Sequence, residues 1–363
     1  MPPIPPSSSP LPRLILYYQT HHTPHPENKH ISLLPLITTP GIHLTHLILA
    51  AIHLNSDPQA ITLNDHSPDH SRFDTLWAEL RILQASGIKV LGMLGGAAKG
   101  SFSRLDSSLE QFEDYYAPLY SLIKERSLDG LDLDVEEEMS LSGIIRLIDR
   151  LRSDFGPDFI ITLAPVATAL ISGLVEHNLS GFDYRQLERE RGKEIGWYNT
   201  QFYCGWGDCS NPGLYELILR RGGWKREKVV VGMVTNPENG SGWVPFEILK
   251  NFVMPVFRGG GGGKGEGEGF GGVMGWEYFN GLPGGRERPW EWAREMTGLL
   301  RGGEEREGKK EEGTVGLVGE GKKEGKEGIV GLVDEEEGVE EKVPVPGNFV
   351  YYSDEEGEEK GDQ

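Results

Sequence analysis

Cysteine is nearly absent, with Cys204 and Cys209 alone in 363 residues. Two thiols cannot build a disulfide framework. Without an export signal they read as free thiols rather than as the ends of a closed CGWGDC loop. No stretch approaches the ~18 consecutive apolar residues of a membrane-spanning helix. Basic residues are outnumbered, 36 Lys+Arg against 56 Asp+Glu for a net charge of -20. That balance argues against a nucleic-acid binder, which needs cations on phosphates. The opening MPPIPPSSSP lacks the apolar run of about 7–15 residues found in a secretory signal. The expected location is cytoplasmic on this sequence, or secreted if the start codon is mis-assigned.

Glycine is abundant instead, at 50 residues, about twice the usual ~7%. Its distribution marks boundaries. Residues 301–363 carry 9 basic and 20 acidic side chains, more than half of the chain's excess charge. Gly, Glu and Lys dominate there and cannot bury enough apolar surface to offset the entropy of ordering, so a disordered acidic tail is expected. Two short islands, Thr314–Val318 and Ile329–Val333, form a weak repeat within it, and the tail's partner is unknown. Residues 1–12 read as a disordered N-terminus. Gly259–Gly272 reads as a flexible loop inside a folded unit spanning 13–300.

Within that unit short apolar runs alternate with amphipathic stretches. The candidate strands are Arg13–Tyr18, Thr45–His53, Lys89–Leu94, Gly130–Val135, Phe159–Ala164, Gly196–Tyr203, Lys228–Val234 and Gly272–Tyr278. Most are continuous apolar runs, the pattern of parallel strands buried on both faces. Arg72–Gln84, Leu109–Ile123 and Leu141–Leu151 repeat apolar residues at helical spacing, with Ser107 and Ser108 suited to cap the second. Eight strands with intervening helices match a (β/α)8 TIM barrel of ~250 residues. The rival is a doubly wound open sheet, but no Gly-rich phosphate fingerprint follows the first strand.

The chemistry concentrates at the fourth strand, Asp129-Gly130-Leu131-Asp132-Leu133-Asp134-Val135-Glu136. Alternate side chains of a strand share a face. Asp132, Asp134 and Glu136 therefore align on one side, towards the barrel axis, and Leu131, Leu133 and Val135 on the other. Buried neighbouring carboxyls are costly when ionised, which raises their pKa towards neutrality. Glu136 ends the strand, at the face where barrels place catalysis, and is the natural general acid. A Mg²⁺ or Ca²⁺ site is the alternative. Adjacent same-face strand residues enclose a cation poorly, so no metal and no cofactor is expected.

This octapeptide resembles the DGxDxDxE signature of glycoside hydrolase family 18, the chitinases and endo-β-N-acetylglucosaminidases. Lys89–Gly96 resembles the family's third-strand motif ending in Ser-x-Gly-Gly, with Met93 at the usual Ser position. Gln201-Phe202-Tyr203 resembles the sixth-strand Gln-x-Tyr element, and Met274-Gly275-Trp276-Glu277 the eighth-strand segment with its aromatic platform. The resemblance covers roughly residues 13–297. It implies substrate-assisted catalysis, in which the sugar's own 2-acetamido oxygen attacks the anomeric carbon. Glu136 would be acid and then base. Asp134 would bind the acetamido N–H, Asp132 would tune Asp134 from behind, and Tyr203 would orient the acetamido carbonyl.

Trp276 is the expected floor under the reacting sugar, and Gln201 a further substrate contact. Either Tyr17 or Tyr18 faces the cleft; Tyr17 is counted with the substrate residues. Asp129 is also counted there, although as the outermost acid it suits a structural hydrogen-bonding role. Trp206 reads equally as sugar surface or loop anchor. Glu137 and Glu138 read as solvated. His21, His22, His25 and His30 cluster after the first strand without ordered metal-ligand spacing, which suggests a surface loop. The expected function is retaining cleavage of β-1,4-linked N-acetylglucosamine in chitin or chito-oligosaccharides. The alternative is endo action on the chitobiose core of N-glycans, and the third reading a non-catalytic chitin-binding barrel. The region between the seventh and eighth strands shows no small α+β insertion, which implies a shallow cleft.

Overall fold

The computed structural model describes residues 11–171, 177–259 and 269–301. Eight parallel strands run in chain order: β1 (Arg13–Tyr18), β2 (His46–His53), β3 (Lys89–Gly95), β4 (Gly130–Asp134), β5 (Ile160–Leu163), β6 (Trp197–Gln201), β7 (Val229–Val234) and β8 (Gly272–Trp276). β1 pairs with β8 on one side and β2 on the other, so the sheet closes into a (β/α)8 barrel. An open sheet would leave its first and last strands unpaired. A two-residue strand, Thr62–Leu63, pairs antiparallel with the end of β2 outside the ring.

Period-two alternation divides the interior into two layers. Leu14, Leu16, Leu131, Leu133 and Val135 pack outward against helices. Ile15, Tyr17, Ile48, Leu91, Met93, Val230 and Met274 fill the barrel. Helix α1 (Asp74–Ala85) buries Leu76, Leu80 and Leu83, its first expected residues having tightened into a 3₁₀ turn, Ser71–Phe73. Helix α2 (Leu109–Arg126) starts at the expected cap, where the Ser108 hydroxyl accepts from Gln111 N–H. Helix α3 (Leu141–Phe155) runs a turn beyond Leu151, because Phe155 continues its apolar stripe, and stops at Gly156 with φ +78°.

The N-terminal mouth is plugged. The Arg13 guanidinium lies 4.3 Å over the Trp197 ring, and the His46 imidazole meets the same ring edge-on at 4.7 Å. Burial, followed by the nearby charges of Arg13 and Lys89, pushes the His46 pKa down to about 3.

Both cysteines are free, Cys204 half-buried and Cys209 buried with its thiol against Gly232 O at 3.4 Å. Among the described residues, the connection from β7 to β8 contains helical turns and no strand. Residues 1–10 of the expected disordered N-terminus, most of the Gly-rich loop, and the tail beyond Arg301 lie outside the described residues.

Candidate active site

Two glycines allow β4 to carry its acids inward. At Gly130 an added Cβ would lie 2.3 Å from the Ile160 carbonyl oxygen, so only glycine lets β4 and β5 approach there. At Gly95, with φ +95°, it would lie 2.6 Å from the Asp134 carbonyl oxygen. Asp132 is fully buried and Asp134 nearly so, while Glu136 is half-buried at the C-terminal mouth.

Asp132 stands deepest. Tyr17 Oη donates to its Oδ2 at 2.6 Å. Thr162 Oγ1, at 2.5 Å, and Asn199 Nδ2, at 2.9 Å, both donate to Oδ1. The Trp197 indole N–H in turn donates to Asn199 Oδ1 at 2.9 Å. Burial raises the Asp132 pKa, and the bonds from Thr162, Tyr17 and Asn199 oppose that rise.

Asp134 and Glu136 share one donor. Gln201 Nε2 lies 3.1 Å from Asp134 Oδ1 and 3.2 Å from Glu136 Oε1, and also reaches the Ala164 carbonyl at 3.0 Å. Burial, then the charges of Glu136 and Asp132, drives the Asp134 pKa well above the carboxylate range. Burial also raises that of Glu136, against the Gln201 hydrogen bond. A raised carboxyl pKa is the direction a general acid requires. The Tyr203 phenol stays neutral, its pKa raised well above 10 by burial and then by the Asp134 and Glu136 charges.

Of the two tyrosines ending β1, Tyr17 faces the cleft. Its ring meets that of half-buried Trp276 edge-on at 5.5 Å. Tyr18 points outward, its hydroxyl donating to Ile31 O at 2.6 Å. Beneath Trp276, buried Glu277 accepts from Gln19 N–H, Thr20 N–H and the Thr20 hydroxyl, which ties the β1 and β8 loops together. Trp206 is half-buried beside Tyr203, whose carbonyl accepts its backbone N–H at 3.1 Å.

Three expectations require correction. Asp129 lies before β4, at the N-terminal mouth, seven residues from Glu136. That is roughly 20 Å along a strand. It accepts from Gln84 Nε2, Lys89 Nζ and Val90 N–H, so it holds β3 to β4 at the end opposite Glu136. Glu137 is buried rather than solvated, and accepts from the N–H groups of Gly100 and Phe102 in the loop and helix after β3; Glu138 is exposed. The histidine-rich segment is also less superficial than expected. His21 is buried edge-on to Tyr18, and His30 Nε2 bonds Glu79 at 3.1 Å.

Thr162, Trp197 and Asn199 were missed. Each lies an even number of residues from an inward-facing position on its own strand, so alternation alone places them on the axis. Trp243, half-buried against the inner cluster, was missed too. It sits on an irregular loop where no periodicity operates.

A closed parallel barrel with acids gathered at its C-terminal mouth is an architecture built for acid–base chemistry on a bound ligand. The family model for glycosyl hydrolases family 18 matches residues 13–186. A fungal endo-β-N-acetylglucosaminidase of family 18 is 49% identical, covering 81% of this chain and 100% of its own, with a TM-score of 0.75. The chitinase ChiC from Aspergillus fumigatus is 54% identical, covering 78% of this chain and 98% of its own, with a TM-score of 0.69. Chitinase 2 of Rhizopus oligosporus is 28% identical over 48% of this chain, which spans only 32% of that protein. The chain belongs to glycosyl hydrolases family 18.

Proposed function

We propose that the protein is a retaining glycosidase that cleaves β-1,4-linked N-acetylglucosamine by substrate-assisted catalysis. The observation that carries this reading is the Gln201 amide within hydrogen-bond reach of both Asp134 and Glu136, at the mouth where a sugar enters. It keeps two carboxyls side by side where one must stay protonated.

Glu136 would give its proton to the departing glycosidic oxygen. The substrate's acetamido oxygen would form the new bond at the anomeric carbon, giving an oxazolinium ion. Asp134 would accept from the acetamido N–H and hold negative charge beside that cation in a dry site. Tyr203 would donate to the acetamido oxygen and keep it in attacking geometry. Water would then open the ring from the face the leaving group vacated, Glu136 taking its proton, with retention at the anomeric carbon. Trp276 offers an aromatic face to the reacting sugar, with Tyr17 against its edge.

Chito-oligosaccharides are the substrate class this reading favours, in line with the chitinase that is 54% identical. Action on the chitobiose core of N-glycans is the second reading, motivated by the family 18 endo-β-N-acetylglucosaminidase at 49% identity. The test is incubation of the full chain separately with chitin oligomers and a high-mannose glycoprotein, with products identified by mass. Shorter chitin oligomers support the first reading; a glycan released with one N-acetylglucosamine at its end supports the second. No product from either substrate would overturn the assignment.

A further inference from the structure

The deepest acid is controlled from below. Met93, aligned with Asp132 across the β3–β4 register, carries no hydrogen-bond donor. The donors come instead from β1, β5 and β6, as Tyr17, Thr162 and Asn199. Asn199 is the informative one, because an amide can present either its nitrogen or its oxygen. An indole N–H can only donate. Trp197 donates to Asn199 Oδ1, which leaves the amide nitrogen facing Asp132. Trp197 is itself wedged between Arg13 and His46 at the closed end of the barrel, far from the mouth where a sugar binds.

We propose that Trp197 is a positioning residue: by fixing the Asn199 amide it holds Asp132 as the ionised member of the carboxyl pair in the free protein and leaves the resident proton to Asp134, which hands it to Asp132 when the acetamido N–H arrives and so becomes the carboxylate beside the cation. This rests on the glycosidase reading above. Asp132 Oδ1 faces two donors and Oδ2 a third, so a proton on Oδ1 would oppose Asn199 N–H directly. Among the described residues the Asp134 carboxyl has one donor, Gln201 Nε2, which it shares with Glu136.

The titratable groups that face Asp132 are few. Tyr17 stands on β1, Asp134 next along β4 with Glu136 beyond it, and Tyr203 past the end of β6. Tyr184, outside the barrel on the helix Tyr184–Arg191, feels its charge. At the closed end His46 on β2 and Arg13 on β1 lie against Trp197, and Lys89 at the start of β3 acts on His46; nearer Asp132, the side chains that β2, β3, β7 and β8 turn inward are apolar, among them Ile48, Met93, Val230 and Met274.

Trp197→Phe keeps the ring between Arg13 and His46 and removes the N–H. The freed amide can turn its oxygen towards Asp132. The acid limb of the kcat/KM profile should then move up by about 0.5–1 pH unit, the worth of one hydrogen bond, with KM at the plateau unchanged. Asn199→Leu should move it in the same direction, and the double variant no further than Asn199→Leu alone. The position of a limb does not depend on how much of the preparation is folded, so partial misfolding leaves the measurement valid. An unmoved limb in Trp197→Phe, or additive shifts, would overturn the proposal. A readout that needs neither variant nor turnover is the indole ¹H–¹⁵N resonance of Trp197 in the wild-type full chain. It should titrate as Asp132 protonates, and a resonance that does not move with pH would overturn the relay. Absence of wild-type turnover would fail the glycosidase reading while leaving this titration as an independent test of the relay.

Discussion

Gln201 Nε2 lies 3.2 Å from Oε1 of Glu136, reaching across from the end of β6 to a residue two beyond the end of β4. The same nitrogen serves Asp134 at 3.1 Å, so one amide spans two carboxyls that burial and mutual repulsion would otherwise drive apart. A donor favours the charged form of each. Gln201 thereby limits how far both pKa values climb and, in the proposed mechanism, sets the alkaline edge of the range in which Glu136 can serve as the acid.

Gln201→Leu should expose that balance. With the donor gone, the Glu136 pKa rises further, and the alkaline limb of kcat, which marks loss of its proton, moves to higher pH. The rate at the optimum should drop, because the carboxyls lose their shared anchor. A pH–rate profile on chito-oligosaccharides checks both, and an alkaline limb moving to lower pH would contradict the role given to the amide.

Glu136→Gln removes the proposed proton donor and keeps the shape. Turnover should fall by at least ~10²-fold, the lower end for losing general acid–base help. Oligosaccharide affinity, measured by calorimetry, should stay within about threefold, since the glutamine still meets Gln201. Near-wild-type turnover would remove Glu136 from the mechanism.

The barrel was legible because parallel strands buried on both faces leave continuous apolar runs, and all eight were found. Their ends were not. Gly196–Tyr203 reads as one strand, yet the ladder to β7 ends with Phe202 N–H on Gly232 O, and Tyr203 lies beyond it. Side-chain character persists past the point where the ladder ends. Within the site, alternation assigns Asp132, Asp134 and Glu136 to the inner face. It does not say how deep each stands, or which N–H groups a loop will turn towards it. That is why Asp129 was grouped with the sugar contacts and Glu137 with solvent. Both roles are set by backbone N–H groups from segments remote in sequence, at Val90 and at Gly100–Phe102.

Asp129→Ala tests the corrected role. Three donors lose their acceptor, one of them the Val90 backbone N–H. A group left unsatisfied in this way costs about 1–3 kcal/mol. The melting temperature should therefore fall while KM for oligosaccharides stays unchanged. A raised KM with an unaltered melt would return Asp129 to the substrate site.

Asp134→Asn should trade activity for stability. Turnover should fall, because asparagine would hold no negative charge beside the proposed cationic intermediate. Stability moves the other way, and its sign follows from linkage. The folded pKa of Asp134 is raised above the unfolded value near ~3.9 by burial, then by Glu136 and Asp132. Between those two values the folded protein binds the extra proton. The group's contribution is thus fully present below ~3.9 and is lost as pH rises through the folded pKa. Asparagine avoids that loss and still offers an oxygen to Gln201. The variant should melt higher than the wild type at neutral pH, with the gap closing as pH falls towards ~3.9. Denaturation curves across this range decide the matter. A variant less stable at neutral pH than at pH 4, relative to wild type, would mean that Asp134 is not the strained acid its surroundings make it.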